Sequence, residues 1–269
     1  MNGNMMIRIF GFILLVLASP VGAQSLNFGS GDSDQPIEVF ADEGIEWQQD
    51  KLTFLARGNA RAVRGEVTVF ADELRAYYRQ LPQGGTEIRQ LDAIGNVRIV
   101  TPGETAYGER GVYDVDNAIL IISGGKARLV TANEEITAHD QIEYWERKQM
   151  AVARGKANAV QGDKKLAADI LVAYFKKDKA GKSAIHRVEA FDNVHIDTGK
   201  DSATSDRGVY NVNSGIATLS GAVQIGRDGN KLDGCKAELN MNSGVSKLFG
   251  CGKSGGGQVG GVFKPRSKK

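Results

Sequence analysis

The chain is poor in the residues that most soluble chemistry requires. Its 269 residues include 2 Cys, 3 His, 2 Trp and 5 Pro. Two cysteines cannot build a thiolate metal cluster, and His139, His186 and His195 fall at no metal-ligand spacing, so no metal or catalytic constellation is expected. No Gly-rich stretch is followed by Lys-Ser or Lys-Thr at phosphate-loop spacing, and no cofactor is implied. Charge of one sign is also lacking. Without Arg8 the chain has 33 basic and 32 acidic residues. Five of the basic ones (Lys253, Lys264, Arg266, Lys268, Lys269) follow Cys251, which leaves a body of 28 against 32. Such a slightly acidic body argues against a nucleic-acid partner. Large side chains are scarce too. Apart from the Trp, 7 Tyr and 10 Phe, the inward positions are Ala, Val and Ile, a thin core expected to leave a cleft.

What the chain does have is a repeat. Ala56-Arg57-Gly58-Asn59-Ala60 returns 97 residues later as Ala153-Arg154-Gly155-Lys156-Ala157, and Arg110-Gly111-Val112-Tyr113 returns as Arg207-Gly208-Val209-Tyr210. Between Ala41 and Gly124 about thirty positions are identical at this one offset, against roughly one in fifteen from composition, so two copies of one unit are expected. Within each copy the period is two: Ile37, Val39 and Ala41 alternate with polar neighbours, as do Val67, Val69 and Ala71, Val97 and Ile99, and Val194 and Ile196. Turn residues recur every 8 to 12 positions, too often for helices. Asp72–Gln80 and Asp169–Lys177 also read as strands, since Leu74, Ala76 and Tyr78 keep spacing two. The fold class is all-β, with about sixteen strands in two facing sheets or one rolled sheet.

The ends read differently. Arg8, an apolar run of 10 residues from Ile9 to Ala18, and Val21-Gly22-Ala23 form a cleaved secretory signal over 1–23, the run being too short for the roughly 20 residues of a spanning helix. Residues 24–36 read as a flexible lead-in and 252–269 as a disordered basic Gly-rich tail. In an exported chain Cys235 and Cys251, placed symmetrically about the turn Asn242-Ser243-Gly244, favour a disulfide across a closing hairpin. Asp72 and Asp169 occupy equivalent points of the two copies and read as carboxylates bonded to backbone N–H groups rather than as a catalytic pair.

Ala41-Asp42-Glu43, Ala71-Asp72-Glu73-Leu74 and Ala168-Asp169-Ile170-Leu171, each trailed by an aromatic, together with Ala56-Arg57-Gly58-Asn59-Ala60, resemble the OstA-like domain of the LptA type. The resemblance covers about 37–251, with repeats at about 41–137 and 138–234. It implies an elongated, twisted β-jellyroll in the periplasm, without enzymatic activity, that carries lipopolysaccharide by the acyl chains of lipid A. It further implies links to an LptC-like inner-membrane partner and an LptD-like outer-membrane partner, and head-to-tail self-association. An exported β-solenoid binding or acting on polysaccharide is the alternative; it would need coils of about 20 to 25 residues, and the 97-residue period has no clear sub-multiple.

The inward apolar positions Ile45, Trp47, Phe54, Val69, Leu74, Ile99, Ile142, Tyr144, Leu171 and Ile196 are the candidate lipid contacts. Ile37, Val39 and Ala41 follow Pro36 as an available edge strand for pairing with a partner. About sixteen strands at about 4.8 Å give a stack of about 70 Å, so the assembly is expected to need several molecules end to end.

Overall fold

The computed structural model describes residues 36–177, 183–227, 229–240, 242–243, 245–252 and 257–263. The signal segment, nearly all of the lead-in and the five basic residues of the tail lie outside them. The strands are β1 (Glu38–Phe40), β2 (Gly44–Gln48), β3 (Thr53–Arg64), β4 (Val67–Gln80), β5 (Thr86–Val100), β6 (Glu104–Asp114), β7 (Ile119–Ser123), β8 (Ala127–Thr131) and β9 (Glu135–Ala138). They continue as β10 (Gln141–Trp145), β11 (Met150–Gln161), β12 (Lys164–Lys177), β13 (Ser183–Asp197), β14 (Asp201–Asn211), β15 (Ile216–Arg227), β16 (Asn230–Asn240), β17 (Val245–Phe249) and β18 (Gly260–Val262). All 18 belong to one antiparallel sheet, and one turn of 3-10 helix (Gln49–Lys51) separates β2 from β3. The boundaries of β10 to β14 are those of β2 to β6 shifted by 97 residues.

Part of the excess over the expected sixteen has a local reason. Gly124, Gly125 and Lys126 take left-handed conformations and split into β7 and β8 a stretch that pairs with β6 on both sides of the break. The stretch 97 residues later stays whole as β15.

The chain forms two compact units. The first holds described residues 36–157, 172–177 and 183–184; the second holds 158–171 and those from 185 onward. In the first, β3, β4, β5 and β6 pair in chain order, β1 and β2 both pair with β3, and β10 pairs with β7 and β11. Its long strands are creased. Gly58 and Asn59 have φ of 77° and 45°, and the β3–β4 register slips between Arg57 and Ala60. Gly95 and Asn96 (75° and 49°) repeat the device in β5, where the β5–β6 register slips between Ile94 and Val97. Glycine and asparagine are the residues that tolerate this region, and one extra residue on a strand, two set against one, bends it. A Cβ on Gly95 would lie 2.2 Å from Oδ2 of Asp72, so the site excludes side chains twice over.

The crease also explains the acids. Asp72 accepts from the Asn96 side-chain amide at 3.0 Å, and Asp169 of the second unit accepts from Asn193 at 2.8 Å. The expected backbone partners are replaced by side-chain amides. With every crease one residue's inward or outward sense shifts: along β4, Ala71 is buried and so is Ala76, an odd and an even position. The core of the first unit gathers Val97, Ile99, Tyr113, Leu120, Ile122 and Tyr144. That of the second contains Val194, Ile196, Leu219 and Val223, each 1% exposed, and each such burial contributes about 1.5–3 kcal/mol before entropy.

At the C-terminal end, β16 pairs with β17 from Lys236↔Phe249 to Asn240↔Val245 and with β18 through Lys231↔Val262 to Asp233↔Gly260. Part of the tail expected to be disordered is thus a strand. Three residues pair by backbone alone, so the lack of apolar side chains did not prevent it. Cys235 and Cys251 lie just beyond the last β16–β17 pair, 5.0 Å apart at Cα, and are joined by a disulfide. Closing a loop of about 15 residues stabilises by about 3 kcal/mol in the chain-entropy account. Reduction is expected to lower the denaturant midpoint by a matching amount; an unchanged midpoint with both thiols labelled would remove that role.

Candidate functional site

Small inward residues leave space in the first unit. Ala62, Val69 and Ile99 on one side of the crease face Phe54, Leu74, Ala93, Gly111 and Leu120 on the other, around a cavity of about 260 Å³. The cavity runs to Ile37, Val39, Trp47 and Tyr78. There Trp47 packs on Tyr78 (ring centroids 4.9 Å) and edge-on against Phe54 (6.3 Å). Ile37 and Trp47 remain 40% and 45% exposed, so this end meets solvent with apolar side chains. Burial raises the Tyr78 hydroxyl above its ordinary pKa and keeps it neutral. The Tyr113 hydroxyl is raised further, by burial and by the Glu146 carboxylate. Two charged residues also belong to the lining, Arg75 and the buried Asp92, which Arg110 holds at 2.9 Å. Hydrogen bonds from Arg75 and Arg57 hold the neighbouring Glu73 carboxyl below its ordinary range despite its partial burial.

The second unit has a void at the equivalent place, lined by Leu166, Val194, Ile196, Gly208, Tyr210 and Leu219, of only about 20 Å³. That is room for about one water molecule. Leu166 stands where the first copy has Val69.

Of the residues expected to contact lipid, Trp47, Phe54, Val69, Leu74 and Ile99 share the large cavity. Tyr144 and Ile142 pack in the core of the first unit, with Tyr144 edge-on to Phe175 at 6.2 Å. Ile196 lines the small void, and Leu171 is buried in the second unit away from that lining. Ile45, opposite Ala56 on the same pair of strands as Trp47, is 51% exposed and outside the cavity wall. Ile37 and Val39, read as edge residues, also line the cavity. Ala62, Ala93 and Gly111 were overlooked because their size hides them; their strand parity, counted through the creases, would have found them. His139 and His195 are exposed, and His139 Nδ1 lies 2.8 Å from Asp140.

Fold and site together define a class: an antiparallel β protein, creased by paired left-handed residues, whose first unit holds a largely apolar cavity reaching the exposed Trp47 and Ile37. The family model described as "LptA/(LptD N-terminal domain) LPS transport protein" matches residues 38–149 and again 135–245, two matches that start 97 residues apart. The chain belongs to this family, and its role lies in lipopolysaccharide transport. An uncharacterised protein of Rhizobium meliloti (strain 1021) is 27% identical over 135 residues, covering 48% of this chain and 70% of that protein. Among solved structures, LptH, the LptA homologous periplasmic component of the lipopolysaccharide transport device of Pseudomonas aeruginosa, is 12% identical with a TM-score of 0.22; the match covers 86% of this chain and 96% of LptH.

Proposed function

We propose that the protein is a non-enzymatic periplasmic carrier that shelters acyl chains of lipid A in the cavity of its first unit. In this reading it hands lipopolysaccharide from an LptC-like inner-membrane partner to an LptD-like outer-membrane partner. The observation that carries the proposal is the cavity itself: about 260 Å³, walled mainly by aliphatic and aromatic residues and ending at the exposed Trp47 and Ile37. Removing acyl chains from water there is favourable by about 25 cal/mol for each Å² of apolar surface covered. Joining to partners would use strand addition at the terminal strands, β1 with Ile37, Val39 and Ala41 at one end and the β16–β17 hairpin at the other.

Photo-crosslinking residues placed singly in the exported chain test the reading. Probes at Trp47, Phe54 and Leu74 are expected to capture lipopolysaccharide. Probes at Glu46 and Arg57, exposed on the opposite face and ion-paired at 3.2 Å, are expected to capture none. A probe at Ala41 should capture a protein partner instead. Lipid captured only from Glu46 and Arg57 would sink the interior-groove reading.

A further inference from the structure

The outer face of the first unit carries an ordered feature that the cavity does not use. Directly opposed residues on successive strands run Phe40↔Arg61, Arg61↔Phe70, Phe70↔Arg98, Arg98↔Tyr107 and Tyr107↔Arg128. Aromatic and arginine therefore alternate without interruption across β1, β3, β4, β5, β6 and β8. Each arginine lies over a ring of the row: Arg61 over Phe40 at 4.3 Å, Arg98 over Phe70 at 4.0 Å and Arg128 over Tyr107 at 4.3 Å. The stacking fixes three flexible side chains in one line. Among the described residues neither Arg61 nor Arg98 has a carboxylate partner, whereas Arg128 has a loose one, Glu135 at 3.6 Å. The corresponding positions 97 residues on are Asn158, Ala167, His195 and Thr204, so the duplicated scaffold does not need this row in order to fold.

The guanidinium groups stand two strands apart, a repeat of about 9.6 Å at the usual strand spacing. The next row toward the hairpin ends is neutral and β-branched on the strands between, running Val63, Thr68, Val100, Thr105 and Val130, and meets a carboxylate only at its two ends, Glu38 on β1 and Glu135 on β9. The flank toward the crease carries the carboxylates Asp42, Asp72 and Glu109, two of them already held by Asn59 and Asn96. A flat anionic surface laid over this face would meet those acids. A narrow chain lying along the row would not.

We infer that this row is a binding track for an extended anionic glycan with an acidic group on alternate sugars, whose acid-to-acid interval in a β-linked chain approximates that between the arginines. Each guanidinium fork takes one carboxylate in two hydrogen bonds, and the sugar C–H faces lie on the Val and Thr row. The track is on the outside and is independent of lipid held in the cavity.

Binding of a hyaluronan octasaccharide to the full exported chain tests the assignment, with a chitin octasaccharide as neutral control and phosphatidylglycerol vesicles as anionic surface. The hyaluronan fragment is expected to bind, more weakly as salt rises. The triple variant Arg61→Gln, Arg98→Gln, Arg128→Gln should weaken it at least tenfold, while Arg207→Gln, whose arginine lies over Phe191 in the second unit, should leave it unchanged. The triple Arg→Lys variant keeps charge and fold but loses the fork, and should also bind several-fold more weakly. Lipid crosslinking from Phe54 should be the same in all of them, which separates this track from the carrier reading. Absence of hyaluronan binding, equal binding by the Gln triple, equal binding of the chitin fragment, or vesicles that bind through the same arginines while the glycan does not, would each overturn the assignment.

Discussion

Ala62→Phe is expected to abolish lipid capture while the protein stays folded. Ala62 lies on β3 opposite Val39 and Val69 and faces the cavity of about 260 Å³. A phenyl group placed there enters empty space rather than a packed core, so overpacking should stay at the low end of the usual range of about 1–3 kcal/mol. The same ring occupies the volume an acyl chain would need. Crosslinking from Phe54 and Leu74 should fall at least tenfold, with the thermal midpoint shifted by only a few degrees. Full capture in a folded Ala62→Phe protein would show that lipid travels elsewhere.

The second large effect concerns Glu104, whose carboxyl is pushed up to about 7 by burial. Its counterpart 97 residues on, Asp201, is also buried but is paired with Arg227 at 3.1 Å, directly opposite on β15. Opposite Glu104 stands Thr131. The fold therefore favours the neutral acid. Below pH 4.5 folded and unfolded chains are both protonated and no penalty exists. Between 4.5 and about 7 the unfolded chain releases its proton first, so stability falls as pH rises. Above that the full penalty applies, about 3 kcal/mol at 1.36 kcal/mol per pH unit. Glu104→Gln is expected to leave stability at pH 4.5 nearly unchanged and to raise it at pH 8 by up to that amount. Equal denaturation midpoints for the two proteins at pH 8 would mean that the carboxylate is solvated in the folded state.

The strands were legible because alternation is a local property. Val67, Val69 and Ala71 announce one face of β4, and spacing two through Leu74, Ala76 and Tyr78 separates a strand from a helix. The duplication was legible because it is a matter of identity at an offset. The full cavity wall was not, for two physical reasons. Paired left-handed residues such as Gly58-Asn59 change which parity faces inward, so a list built on simple alternation drifts. Hydrophobicity also points to large side chains, whereas a cavity is made by small ones, here Ala62, Ala93 and Gly111. Ile45 shows the converse: it keeps the face that alternation assigns but stands too near the end of its strand to be covered. Strand β18 escaped because backbone pairing leaves no mark in side-chain composition.

The disulfide has a mechanical consequence. Load applied to the C-terminus would reach β18 first, and three residues paired with Lys231–Asp233 can be peeled away at little cost. The pull would then arrive at Cys251 and pass through the sulfur bridge into Cys235, partway along β16. From that point it can no longer peel β17 from its free end. It must instead drag the middle of an eleven-residue strand that is paired with β15 along its length, from Ile216↔Asn240 to Arg227↔Asn230. The last hairpin is thus fastened as a rivet fastens a hem, and the chain end can be tugged without unravelling the sheet.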